Sequence, residues 1–145
     1  MPERVKFNIS VSFLIKENTQ ILLFYRTDGY FHDGWWVLPA GHVEEGETAT
    51  DAVIRECKEE LNIDVSAPNV KFAHVVYNLS GKNKRMDFYF YVQNYKGTLC
   101  NLEPDKCEKM MFFDLDNLPD TDKIAPTTLL ALQCIAQSVP YSERK

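Results

Sequence analysis

Gly41-His42-Val43-Glu44-Glu45-Gly46-Glu47-Thr48-Ala49-Thr50-Asp51-Ala52-Val53-Ile54-Arg55-Glu56-Cys57-Lys58-Glu59-Glu60-Leu61-Asn62-Ile63 is the stretch on which the reading turns. A loop from Ala40 to Glu47 is predicted to lead into a helix from about Thr48 to Leu61. Thr48 is placed to cap that helix, with Asp51 three residues on in a capping-box position. Asn62 tolerates the left-handed conformation that ends a helix. With Val53 set at zero and about 100° per residue, Ala49, Ala52, Ile54, Cys57 and Leu61 fall on one arc, which faces the core. Arg55, Lys58, Asp51 and Asn62 fall on the far side, toward water.

The acids do not follow that division. Glu60 falls at about −20° and Glu56 at about −60°, inside the apolar arc, and Glu59 at about −120°, at its edge. An ordinary Glu-x-x-Glu-Glu run is a solvated face with i, i+4 pairs, here to Arg55 or Lys58. The phase argues for the other outcome. Like charges on the buried side repel, and an unpaired buried carboxylate is costly, so the arrangement calls for a compensating cation. Carboxylate oxygens are hard ligands, suited to Mg²⁺ or Mn²⁺ rather than zinc.

The spacing Gly41, five residues, Glu47, seven residues, Arg55-Glu56-Cys57-Lys58-Glu59-Glu60-Leu61-Asn62-Ile63 resembles the Nudix box, which reads Gly, five residues, Glu, seven residues, Arg-Glu-aliphatic-x-Glu-Glu-x-Gly-aliphatic. Cys57 stands where an aliphatic residue is usual and Asn62 where glycine is usual; neither change removes a charge. Trp36-Val37-Leu38-Pro39-Ala40-Gly41 resembles the strand and loop that enter the box. Glu103-Pro104-Asp105-Lys106-Cys107, Met111-Phe112-Phe113 and Leu118-Pro119 resemble the later part of MutT-type members. The resemblance implies an α/β/α sandwich with a mixed sheet between helices, spanning nearly the whole chain. It also implies that Glu56, Glu59 and Glu60 ligate Mg²⁺, or Mn²⁺, with a backbone carbonyl near Ala40 or Gly41. Glu56 would also be a candidate base. Arg55 would orient a glutamate, Glu47 would brace the loop through Arg55, and Glu103 would bind a metal or activate water.

Such parts suit phosphoanhydride hydrolysis, where cations neutralise the phosphates and a glutamate takes a proton from water. The expected reaction is pyrophosphohydrolysis of a nucleoside triphosphate. The alternatives are hydrolysis of nucleotide sugars or dinucleoside polyphosphates, or a non-catalytic nucleotide-binding module of the same fold.

Outside the box, Phe7 to Ile15, a turn at Glu17-Asn18-Thr19 and Gln20 to Arg26 read as a hairpin. Trp35 to Leu38, Val70 to Leu79, Met86 to Tyr95 and Lys109 to Leu115 read as strands, and Pro126 to Gln137 as a second helix. Strands mixed with two helices suggest a layered α+β or α/β domain. Arg26, Tyr30 and Trp36 are candidate substrate contacts, the aromatics by stacking on a base. Strand alternation allows only one of Trp35 and Trp36 to face the site. Phe88-Tyr89-Phe90-Tyr91 is an aromatic strand with two members expected in the core. Lys82, Lys84 and Arg85 read as a solvated hairpin tip, with phosphate contact as the alternative. His32, His42 and His74 carry little signal.

The 145 residues, 45% of them hydrophobic and 26% charged, suit one packed domain. The net charge of −5 argues against a broad grip on a nucleic acid polymer but not against a small anionic nucleotide, since a bound cation can invert the local sign. Cys57, Cys100, Cys107 and Cys134 form no C-x-x-C pair and read as reduced thiols. The N-terminus lacks a signal-peptide pattern, and no apolar run approaches the roughly 20 residues of a membrane span, so a cytoplasmic location without membrane partners is expected. Oligomeric state is not readable from the sequence, and a homodimer through sheet or loop surfaces is the alternative to a monomer.

Overall fold

The computed structural model describes residues 1–27 and 34–145. Tyr30, Phe31 and His32, considered above as candidates, lie outside the described residues. Strand β1 (Asn8–Glu17) turns at Asn18, whose φ of 55° closes the hairpin to β2 (Gln20–Arg26). Then come β3 (Trp36–Val37), β4 (Ala40–His42), helix α1 (Ala49–Leu61), β5 (Val70–Asn78), β6 (Arg85–Val92), β7 (Cys107–Asp114), helix α2 (Pro126–Ala136) and β8 (Tyr141–Arg144). The sheet runs β3-β2-β1-β6-β5-β8, with β4 added to β1 and β7 to β2. β1 and β6 are parallel, as are β5 and β8, while the other pairs are antiparallel, so the sheet is mixed as expected.

The period-2 alternation of the first hairpin decides which helix lies on which face. Val11, Phe13 and Ile15 of β1, with Leu22 and Phe24 of β2, meet Ala52, Val53, Cys57 and Leu61 of α1. Their neighbours Leu14, Ile21 and Leu23 point the other way and meet Ala131, Leu132 and Ile135 of α2. Each such buried Leu, Ile, Val or Phe contributes about 1.5–3 kcal/mol. The result is an α/β/α sandwich with the sheet between the helices.

Three details differ from the sequence reading. Ala40–His42, predicted as loop, is a short strand pairing Ser10–Ser12 with Ala40–His42. Tyr141–Arg144, not predicted to be regular, adds to β5 in parallel. Trp36 is 9% exposed, packed against Tyr25 and Phe113 in the α2-side core. That burial corrects its assignment as a stacking residue: its indole fills the core beneath α2, on the face away from α1. Among the described residues no helix is long and apolar enough to cross a membrane, and all four cysteines are free thiols.

Candidate active site

α1 is held at both ends by its own sequence. Thr48 Oγ1 accepts from Asp51 N–H at 3.1 Å, and Asp51 Oδ2 accepts from Thr48 N–H at 3.0 Å, the reciprocal capping box. Asn62 ends the helix at φ 59°, and its N–H donates to the Cys57 and Lys58 carbonyls. The last turn then receives a distant segment: Cys100 N–H donates to Leu61 O and Leu102 N–H to Glu60 O, each at 3.0 Å. These two bonds bring Glu103 near enough for its charge to act on Glu56 and Glu60.

Gly41 lies opposite Val11 in the β1–β4 pair. A Cβ built there would lie 2.2 Å from Glu56 Oε1, 2.3 Å from its Cδ and 2.6 Å from its Cγ. The Glu56 side chain therefore lies directly on the backbone of Gly41, and only glycine leaves room for it.

Arg55 ties these parts together. Its Nε donates to Glu47 Oε2 at 2.7 Å and one Nη to Glu47 Oε1 at 3.0 Å, a bidentate pair. The same Nη reaches the His42 carbonyl at 2.9 Å, and the other donates to Glu56 Oε1 at 2.7 Å and Glu59 Oε2 at 3.2 Å. Glu47 Oε1 also accepts from Glu44 N–H at 2.8 Å, which folds the loop upon itself. The helical phase had placed Arg55 toward water. Its side chain is only 23% exposed, because β4 and the 42–47 loop cover that side of α1 and supply its partners. The roles of the His42 carbonyl and the Glu44 amide were not legible in the sequence, since both are backbone groups.

Glu60 is buried and Glu56, half-buried, lies on the same inward side of α1, as the phase required. Glu60 is 8% exposed, and its Oε2 is buried without a hydrogen-bond partner. Burial, then the charges of Glu56 and Glu103, pushes its carboxyl up to about 9, and the hydrogen bond it shares with Glu56 needs a proton on one of the pair. Burial also raises Glu56 against the lowering pull of Arg55. Glu47 moves the other way, lowered first by its hydrogen bond to Arg55 and then by the Glu44 amide. Arg55 is raised by Glu47 and is permanently charged. Glu59 departs from the expected convergence: its carboxylate turns to Arg55 and is 56% exposed.

A hard divalent cation fits this place on three counts. The donors are carboxylate oxygens, one of them is buried without a partner, and their electrostatic problem is excess negative charge. Among the described residues, no group of three or more acidic, His or Cys side chains is already closed into a ligand cage. Glu59, paired with Arg55, turns away from Glu60.

Arg26 follows a register shift between Tyr25 and Arg26 in the β2–β7 pair, and its charge acts on Glu60 and on Cys107. The exposed His42 offers its carbonyl to Arg55. His74 is fully buried between Val139 O and Ser142 Oγ and pins β8 to β5. Arg85, expected at a solvated tip, is instead paired with the buried Asp87.

A family model described as the NUDIX domain matches residues 6–132. An ADP-ribose pyrophosphatase of Methanocaldococcus jannaschii is 35% identical over 114 residues, which cover 77% of this chain and 64% of that protein. The chain thus spans just under two thirds of that relative's length. An oxidized purine nucleoside triphosphate hydrolase of Mus musculus is 31% identical over 112 residues, covering 75% of this chain and 67% of that protein. Among solved structures, a MutT NUDIX hydrolase from Burkholderia pseudomallei superposes with a TM-score of 0.77 at 27% identity, covering 89% of this chain and 98% of the other.

Proposed function

The chain belongs to the Nudix hydrolase family, and from that premise we propose that it hydrolyses a phosphoanhydride bond in a nucleoside diphosphate derivative, with a nucleoside triphosphate as the leading substrate class. The products would be a nucleoside monophosphate and pyrophosphate. The observation that carries this reading is the buried, partnerless Oε2 of Glu60 beside Glu56 and Glu103. A buried polar atom without a partner calls for an explanation, and a cation held beside it supplies one.

Glu56, Glu59 and Glu60 are the proposed holders of Mg²⁺ or Mn²⁺, with the Gly41 backbone beside them. When bound, the ion would screen the phosphates and acidify a water. The chain's own residues do the rest. Arg55 fixes the Glu56 carboxylate from one side while Gly41 gives it room from the other, so the candidate base is preorganised. Glu47 locks Arg55 to the loop, so that the guanidinium stays beside Glu56. Glu103 stands across from this pair as a second candidate to accept a proton. Arg26 offers positive charge on the substrate side.

A second reading, a nucleoside diphosphate sugar such as ADP-ribose, is favoured by the name of the archaeal relative. Incubation with nucleoside triphosphates and ADP-ribose in Mg²⁺ and in Mn²⁺, with products separated, decides between them. Release of pyrophosphate from a triphosphate supports the first, and AMP with ribose 5-phosphate the second. Glu60→Gln should fold and lose most turnover. No metal-dependent cleavage of any nucleotide, or a Glu60→Gln enzyme as fast as the original, would overturn the proposal.

A further inference from the structure

A cavity of about 470 Å³ lies at the edge of the sheet, between Trp35, the β5–β6 turn and the start of α2. Trp35 packs toward the α1-side core, while Arg85 belongs to the α2 side with Asp87, so the cavity sits where the two faces meet. Among the described residues three cationic ones line it, Lys82, Arg85 and Arg144, and no acidic one does, in a chain whose net charge is −5.

Two of the three charges are held in place. Arg85 Nε donates to Asp87 Oδ1 at 3.0 Å, and Arg144 Nη1 donates to Thr127 Oγ1 at 2.6 Å. Asp87 offsets part of the charge, but it is 4% exposed, beneath the cavity. Its oxygens already accept from Ser10, Asn78 and Arg85. The N-terminal end of α2 opens onto the cavity at Pro126 and adds the positive end of its dipole. A neighbouring cavity shares Lys82 and Asn83 and is lined by Arg4, Lys6 and Lys84, with Glu3 offsetting part of that charge.

The placement relative to the carboxylates follows from strand register. Asn8 pairs with Arg85 on one side of β1, and Val11 pairs with Gly41 on the other. Two strand spacings across and three residues along put the Arg85 and Gly41 backbones about 14 Å apart. Because Arg85 faces the α2 side and Glu56 the α1 side, a ligand that reaches both passes round the sheet at Trp35, a path longer than this backbone separation.

We propose that this cavity is a second anion subsite, which takes a phosphate group borne by the substrate away from the anhydride that is cleaved. Preorganised guanidinium groups match phosphate oxygens in bidentate fashion, Lys82 supplies a mobile point charge at the rim, and the Trp35 ring offers an apolar wall to the sugar or base that carries the phosphate. The choice of ligand rests on the hydrolase reading; the existence of the subsite rests on the cavity and its charge.

The test is calorimetric binding of ADP-ribose and of its 2′-phosphorylated form, in EDTA so that nothing turns over. The subsite predicts that the phosphorylated ligand binds at least about tenfold more tightly, the discrimination one charge-assisted hydrogen bond supplies. Lys82→Ala, at the exposed tip, should reduce that preference, and Arg144→Gln, which can still reach Thr127, should abolish it while the affinity for plain ADP-ribose stays within about twofold. Equal affinities in the unaltered protein, or a preference that survives both substitutions, would overturn the proposal. Inorganic phosphate separates the two sources of the anion. If it stabilises the protein thermally through Lys82 and Arg144 while the two ligands bind equally, the cavity is a free-phosphate site and the substrate-borne version fails. A preference that persists in a protein that cleaves no nucleotide, triphosphates included, with Mg²⁺ or Mn²⁺ would sink the hydrolase reading and leave the subsite standing.

Discussion

Replacing Gly41 by Ala perturbs one contact and little else. The new Cβ would meet Glu56 Oε1 at 2.2 Å, whereas ordinary contact begins at 3.4 Å, so the carboxylate must move by about 1.2 Å. Gly41 is not among the positive-φ residues, so alanine adds no backbone strain. What it strikes is the side chain of Glu56 rather than backbone, so the side chain can yield and the fold survives. Thermal unfolding should therefore change by less than about 1 kcal/mol. Catalysis should not survive so easily. The displaced carboxylate leaves Arg55 Nη1, which holds it at 2.7 Å, and misplacement of a reacting group by about 1 Å costs on the order of 10²-fold. The assay is steady-state nucleotide hydrolysis with Mg²⁺, alongside a circular-dichroism melt. A Gly41→Ala enzyme with near-native kcat would refute the claim that the Glu56 position matters. One that unfolds would refute the claim that the side chain alone yields.

Three further outcomes follow from the same geometry. Arg55→Lys keeps the charge but not the bidentate grip on Glu47, and should cost about 1–3 kcal/mol of stability together with most of kcat; a double-mutant cycle with Glu47→Gln should be strongly non-additive. Glu60 carries a raised pKa in the folded chain, so the metal-free native state holds a proton that the unfolded chain has released. Its contribution to stability is thus complete below about 4.5 and is lost as pH rises toward about 9. Glu60→Gln should flatten that slope in melts taken with EDTA, and Mg²⁺ should stabilise the original protein more at high pH than at low; an unchanged slope would contradict the burial argument. Asn62→Ala places an ordinary side chain at φ 59° and should lower stability by about 1–2 kcal/mol in urea unfolding, whereas Asn62→Gly should be nearly neutral.

Much of the sandwich was legible in the sequence because its strands and helices carry clean periodicity. Gln20–Arg26 and the α1 caps are local in origin, and structure and sequence agree there to the residue. β4 was read as loop because Ala40-Gly41-His42 has no β-branched or aromatic signal; its pairing comes from β1. β8 was invisible for the same reason, since Tyr-Ser-Glu-Arg is a polar run that becomes a strand only beside β5. The inward placement of Glu56 and Glu60 followed from helical phase alone. The position of Arg55 did not, because phase cannot see the loop that folds over the far side of α1. Glu103 entered only through family resemblance, and the backbone bonds from Cys100 and Leu102 hold its segment against the last turn of α1. Trp36 illustrates the converse: an aromatic near a site is usually core, and this one is.

The account depends on Glu56 and Glu60 gathering a divalent cation. Electron paramagnetic resonance of Mn²⁺ titrated into the original protein and into Glu60→Gln measures this without any substrate. The predicted result is a bound Mn²⁺ that Mg²⁺ displaces from the original protein, with affinity lost in Glu60→Gln while its circular-dichroism spectrum stays native. A folded Glu60→Gln protein that holds Mn²⁺ as tightly as the original would contradict the account.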